Sequence, residues 1–244
     1  MSLALAHKRR VLAQGPSPTV ASAKAEVYSS ATALASPANG QKHLKLMEDA
    51  LAVDLERISA IGSHELRRQL KREELLPKYQ EYVQRYRDSG LNFPNSVLMY
   101  VLIWLFDTAD FDKALELADF AISQGQALPE RFNRDIPTFV ADEVIDWAEA
   151  ECKAKRSPEP YLSNLLPRVD GEWTLYERIP ARYHKQLGIL AMDRRDWSVA
   201  IKHLERAEDL YDAIGVGTKL AGARKALAKQ EAQAVTDATK PPTE

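Results

Sequence analysis

From Lys42 onward the apolar residues recur at steps of three and four. Leu44, Met47, Leu51 and Leu55 form one stripe, and Ile58 and Ile61 continue it. That spacing predicts an amphipathic helix. Gly62 and Ser63 interrupt it, and Ser63 is placed to cap a second helix, with Leu66 and Leu70 turned inward. Pro77 biases Leu76 away from helical geometry, so a kink or a fresh start is expected there. Tyr79, Val83 and Tyr86 give a further stripe. The segment "DSGLNFPNS" (Asp88 to Ser96) reads as a loop, with Asn95 or Ser96 capping the next helix.

That next helix contains "VLMYVLIWLF", Val97 to Phe106, apolar on every side. Its ten residues fall well short of the roughly 20 needed to cross a bilayer, so a buried core helix is expected. Beyond it, Phe111, Ala114, Leu115, Ala118, Ala121 and Ile122 share one face, and Gly125 ends that helix in a left-handed conformation. "LPERFNRDIP" is a loop. Pro137 opens another helix, lined by Phe139, Val140, Val144, Trp147, Ala148 and Cys152.

A pattern then returns. "DTADFDKAL" (Asp107 to Leu115) and "DRRDWSVAI" (Asp193 to Ile201) share D-x-x-D-aromatic-x-x-A-aliphatic, 86 residues apart. Each reads as the turn of a helical hairpin of tetratricopeptide-like form, with Asp107 and Asp110 as caps, the aromatic beneath the turn and a small Ala where the helices approach. No stretch alternates with a period of two. The fold class is therefore all-α: a helical bundle with tetratricopeptide-like hairpins. Its divisions are a flexible basic-tipped arm (1–40), a helical DNA-binding or oligomerisation region (41–88), a hairpin bundle (89–235) whose second hairpin spans 180–215, and a short disordered tail (236–244).

Composition agrees with helix. Glycine is scarce, at 10 residues in 244, and good helix formers abound. Cys152 is the single cysteine, so an internal disulfide and a cysteine-based zinc cluster are both excluded. Met1 to Ala6 is too short and too weakly apolar for a secretory signal, which leaves the cytoplasm as the expected location.

Charge changes the picture more. Residues 1–78 hold 12 Lys and Arg against 8 Asp and Glu; residues 79–160 hold 8 against 15. A basic front before an acidic middle points towards nucleic acid. Within the front, Arg67, Arg68, Lys71 and Arg72 crowd one side of the second helix, away from Leu66 and Leu70. Lys8, Arg9 and Arg10 form the basic tip of the arm. We expect these seven residues to contact DNA phosphates.

The residues give no catalytic site and no cofactor or metal site. Asp107, Asp110, Asp112, Asp142, Glu143 and Asp146 could in principle serve a metal-dependent nuclease, but they fall at helix starts and on exposed faces. His64, His184 and His203 lack metal-type spacing, and no phosphate-binding G-x-x-x-x-G-K-[ST] is present.

Four stretches in order, "KREELLPKYQEYV", "VLIWLFDTADFDKALELADFAI", "LPERFNRDIPTFVADEVIDWA" and "HKQLGILAMDRRDWSVAIKHLERA", together resemble the small terminase subunit of peduovirus-type tailed phages and related prophages. The resemblance spans most of residues 42–215. It implies binding to the cohesive-end region of concatemeric double-stranded viral DNA, assembly as a homo-oligomeric ring, and recruitment of the large ATPase subunit in the host bacterial cytoplasm, without a membrane. Family members are often labelled the terminase endonuclease subunit. With no catalytic residues evident in this chain, cutting is expected to belong to the holoenzyme. Some members end in a long basic tail, whereas this chain ends "KQEAQAVTDATKPPTE", which shifts the expected DNA contact to the arm and the Arg67 to Arg72 face. The alternatives from residues alone are a helical interaction scaffold without DNA binding and a metal-dependent endonuclease.

Overall fold

A computed structural model of the chain describes residues 36–238 together with Leu34. All regular structure among these residues is helical. Helix α1 spans Pro37–Ala60, α2 His64–Leu70, α3 Leu76–Ser89, α4 Ser96–Asp107 and α5 Phe111–Ser123. Helix α6 spans Ile136–Lys153, α7 Tyr161–Pro167, α8 Arg178–Asp193, α9 Trp197–Leu210 and α10 Gly217–Ala238.

Helix α1 begins five residues before the periodic pattern does. Ser36 accepts from the Asn39 amide, and Pro37 takes the first helical position, where its missing N–H costs nothing. Ser63 caps α2 as its sequence implies, accepting from the Leu66 amide. Helices α2 and α3 run on through a π-helical turn at Lys71–Leu75, just ahead of Pro77. Leu76 keeps helical backbone (φ −57°, ψ −50°) despite the following Pro77, so the departure expected there does not occur and the irregularity is instead a π-bulge. Leu66 does not face inward: it is 56 % exposed, while Leu70 packs partly on the core. The second helix is too short and too peripheral to bury both.

Helix α4 is the centre. Every residue from Val97 to Phe106 except Tyr100 is buried. Helices α1, α3 and α5 pack against it, as a helix apolar all round requires. Across α1 and α3 the buried Asp54 carboxylate accepts from Lys78 (2.6 Å) and from the hydroxyl of the fully buried Tyr79 (2.7 Å). Arg57 completes the set at 2.9 Å, so this buried charge is fully paired.

The two D-x-x-D-aromatic segments are hairpin turns of one geometry. Ala109 and Arg195 both take left-handed backbone, with φ of 59° and 61°. The Asp110 amide bonds the Leu105 carbonyl and the Asp196 amide the Ala191 carbonyl, at 3.0 and 2.9 Å. These are Schellman closures, and Gly125, φ 63°, closes α5 in the same way. The repeated alanines, Ala114 and Ala200, are completely buried. Asp196 caps through the Val199 amide. Asp110 does not cap: no amide of α5 bonds its carboxylate, which pairs with Lys113 at 2.8 Å. Asp107 is no cap either; it is the last residue of α4, and its partner lies on another helix.

Helices α8 and α9 pack closely because Gly188 sits under Leu204. A Cβ at Gly188 would lie 2.8 Å from the Leu204 Cγ. Leu204 is itself fully buried, so it has no room to yield. Gly188→Ala is therefore expected to lower unfolding free energy by roughly 1–3 kcal/mol, measured by denaturant titration; an unchanged midpoint would show that the hairpin breathes enough to admit a methyl group.

A histidine chain also holds this hairpin. His203 Nδ1 lies 2.9 Å from His184 Nδ1, and His184 Nε2 lies 3.0 Å from Asp170. One neutral arrangement satisfies both contacts: His203 donates to His184, and His184 donates to Asp170. Burial, reinforced by His184, Lys202 and Arg194, pushes the His203 imidazole down to about 4. A group neutral in the fold but ordinarily titrating at 6.5 contributes stability that is present above that pH and is lost as pH falls towards 4. The melting temperature of the native chain should therefore drop more steeply between pH 7 and about 4.5 than that of His203→Gln. Parallel curves would show that the pair is not a proton-linked contact.

Candidate nucleic-acid interface

A helix leaves its last four carbonyls without intrahelical donors. At α4 every one is accounted for. Trp104 accepts from the Thr108 amide and hydroxyl, Leu105 from Asp110, and Phe106 from Ala109. The Asp107 carbonyl accepts from Arg68 Nε at 3.0 Å, and the Thr108 carbonyl just beyond accepts from Arg72 Nη2 at 3.3 Å. Between them Lys71 Nζ meets the Asp107 carboxylate at 2.6 Å. Three of the four predicted cations of α2 and the π turn thus converge on the negative end of the central helix, where the macrodipole favours positive charge. Arg67 turns the other way, its Nε on the Ile61 carbonyl at 2.5 Å.

These contacts hold the cations without consuming them. Arg68 and Arg72 are exposed. Arg67 and Arg72 have no carboxylate partner among the described residues; Arg68 also reaches Glu65 at 3.2 Å on an open surface. Lys8, Arg9 and Arg10 lie outside the described residues. Of the seven predicted contacts, the structure brings Arg67, Arg68 and Lys71 to the wall of one cleft of about 330 Å³. Arg72 stands beside it.

The opposite wall was not anticipated. Arg131, from the 3-10 turn Glu130–Phe132 ahead of α6, lines the same cleft with Phe132, Phe139 and Glu143. Its guanidinium lies over the rings of Tyr100 (5.1 Å) and Phe132 (4.9 Å) and has no carboxylate partner among the described residues. The sequence signal for it was the Arg131–Phe132 pair in "LPERFNRDIP", which periodicity classes only as loop.

The candidate nuclease carboxylates are each engaged by a donor, and two of them, Asp107 and Glu143, line this cleft. Asp107 pairs with Lys71, Asp112 accepts from Tyr161, Asp142 and Glu143 grip Arg134, and Asp146 meets Arg182. Burial raises the Glu143 carboxyl above the usual range, with Asp107 and Asp146 adding to the rise and Arg134 opposing it. Among the described residues no group of three or more His, Cys, Asp or Glu is arranged to hold a metal ion, and no helix is long and apolar enough to cross a membrane.

An all-helical domain built around one buried helix, with a cation-walled cleft at that helix's carboxyl end, is the class of protein seen here. Residues 49–178 match the family model of the phage small terminase subunit, and the chain belongs to that family. It is 34 % identical over 169 residues to the "probable terminase, endonuclease subunit" of Haemophilus phage HP1, covering 69 % of this chain and 60 % of that protein. It is 31 % identical over 166 residues to the "terminase, endonuclease subunit" of Escherichia phage P2, covering 68 % of this chain and 67 % of that protein. The alignment therefore leaves about 40 % of the HP1 protein unmatched. No solved structure matches the fold.

Lys71 is the half-buried member of the cluster, 14 % exposed against 38 % for Asp107. Lys71→Met keeps the stem and removes the charge, leaving Asp107 unpaired at the negative helix end. It is expected to cost about 1–2 kcal/mol by thermal or denaturant unfolding. A variant as stable as the native chain would place the cohesion of this corner in the apolar contacts alone.

Proposed function

We propose that this chain is the DNA-recognition and packaging adaptor of a tailed phage or prophage. In this reading it binds the cohesive-end region of concatemeric double-stranded viral DNA and recruits the large ATPase subunit, working as a homo-oligomer in the host bacterial cytoplasm. Family membership supports the packaging role. The observation that favours DNA contact is the set Arg67, Arg68, Lys71 and Arg72, drawn from six consecutive positions, three of them fixed against the end of α4. Cations fixed in advance lose little freedom when a phosphate arrives, and guanidinium groups suit phosphate oxygens. The arm residues Lys8, Arg9 and Arg10 supply a second contact. Phosphate contacts set position and orientation; they carry little sequence information.

The name "endonuclease subunit" is borne by the HP1 and P2 proteins. The paired state of Asp107, Asp142, Glu143 and Asp146 favours assigning any cutting here to the assembled holoenzyme. A helical scaffold that never touches DNA is the competing reading, and one measurement separates the two. The double variant Arg68→Ala, Arg72→Ala should weaken binding to cohesive-end and unrelated duplexes alike. It should also reduce the slope of log affinity against log salt by about two units, roughly 0.9 for each lost phosphate contact. Helicity should hold by circular dichroism, since alanine suits a helix and Lys71 still pairs with the Asp107 carboxylate at the end of α4. Unchanged affinity and slope would remove this face from the DNA contact.

A further inference from the structure

We infer that the cleft between α2 and the turn before α6 takes a single unpaired nucleotide of a DNA strand, with its phosphate on the arginines and its base against the apolar side chains. This rests on the reading that the α2 face meets DNA and extends it to a second mode of contact. Cations reach the cleft from two elements: Arg67 and Arg68 from α2, and Arg131 from the turn before α6. The lining also carries apolar side chains, Ile58, Ile103, Phe132 and Phe139, beside Asp107 and Glu143. A phosphate alone would satisfy the arginines and leave the apolar side chains wet. A hydrocarbon alone would do the reverse. A nucleotide presents both chemistries in one group, and its base needs an aromatic or apolar surface once it leaves the stack.

Arg131 carries most of the argument. Its guanidinium is held over the Tyr100 and Phe132 rings at 5.1 and 4.9 Å. Stacking orients the planar group yet leaves its charge unneutralised, with the N–H edge free for an anion. The acidic neighbours are already engaged. Asp107 is paired with Lys71, and Glu143 with Arg134 at 3.0 Å. A volume of about 330 Å³ lies at the small end of ligand clefts and has no room for a base pair. A paired base has its faces covered by its neighbours. The cleft therefore selects a strand end, an overhang or a disrupted step.

The test uses the full chain and fluorescence anisotropy with three probes: a short mixed-sequence single-stranded DNA, the same sequence as duplex, and the single strand made abasic throughout. The intact strand should bind more tightly than the abasic one. Arg131→Ala should lower the ratio of single-strand to duplex affinity about tenfold, the scale of one lost charge-assisted phosphate contact. Arg131 is exposed, so the variant should fold, and its melting curve checks this. An unchanged ratio in Arg131→Ala overturns the proposal. Equal binding of the abasic strand also overturns it, because the site then reads phosphate only. Failure of the DNA reading itself looks different: in that case the Arg68→Ala, Arg72→Ala variant leaves duplex binding untouched, whatever Arg131 does.

Discussion

The structure depends on the burial of α4. A ten-residue run from Val97 to Phe106 with no polar face can exist only inside a shell of other helices, and both of its ends then need donors and acceptors brought from elsewhere. At the amino end Asn95 accepts from the Leu98 amide and donates to Tyr82, while Gln126 accepts from the Asn95 amide. At the carboxyl end the cations of α2 and the π turn close the carbonyls. The same requirement that makes the core possible thus gathers positive charge at one surface point. The basic cluster is partly a structural consequence of α4, and it is also the feature on which the proposed phosphate contact rests. The two roles are compatible because Arg68 uses its Nε on α4 and Arg72 one Nη atom, leaving other donors on each guanidinium for a ligand.

The family model stops at Arg178, whereas the fold does not. Asp170, at the non-helical kink within Arg168–Glu172, accepts from Arg206 Nε and Nη2 at 2.9 and 2.7 Å and also bonds His184. Arg182 on α8 reaches back to Asp146 and Glu149 on α6. The hairpin of α8 and α9 is therefore ionically stitched to the region the family shares.

Much of the fold was legible in the sequence, for definite reasons. Period and capping residues located the helices, because Ser63, Asn95 and Pro137 act over three or four residues. The apolar run announced α4, and the D-x-x-D-aromatic repeat located both hairpin turns. What local pattern could not supply was partnership across the chain. Asp107 reads as a cap until Lys71 is seen 36 positions away, and Leu66 reads as core until the peripheral position of α2 is known. Arg131 is invisible for the same reason: its meaning lies in Tyr100 and in a cleft whose other wall lies some sixty residues earlier in the chain. The basic cluster could be named from the sequence, but the carbonyl end that organises it could not.

The central claim is that the surface around α2 and Arg131 is where DNA meets this protein. Hydrogen-exchange mass spectrometry of the full chain, with and without cohesive-end duplex, tests it most directly. The account predicts added protection over residues 64–75 and over the 128–134 turn, with the exposed length of α10 beyond Ala223 little changed. Protection confined to α10 or to the α8–α9 hairpin, with none over residues 64–75, would contradict it.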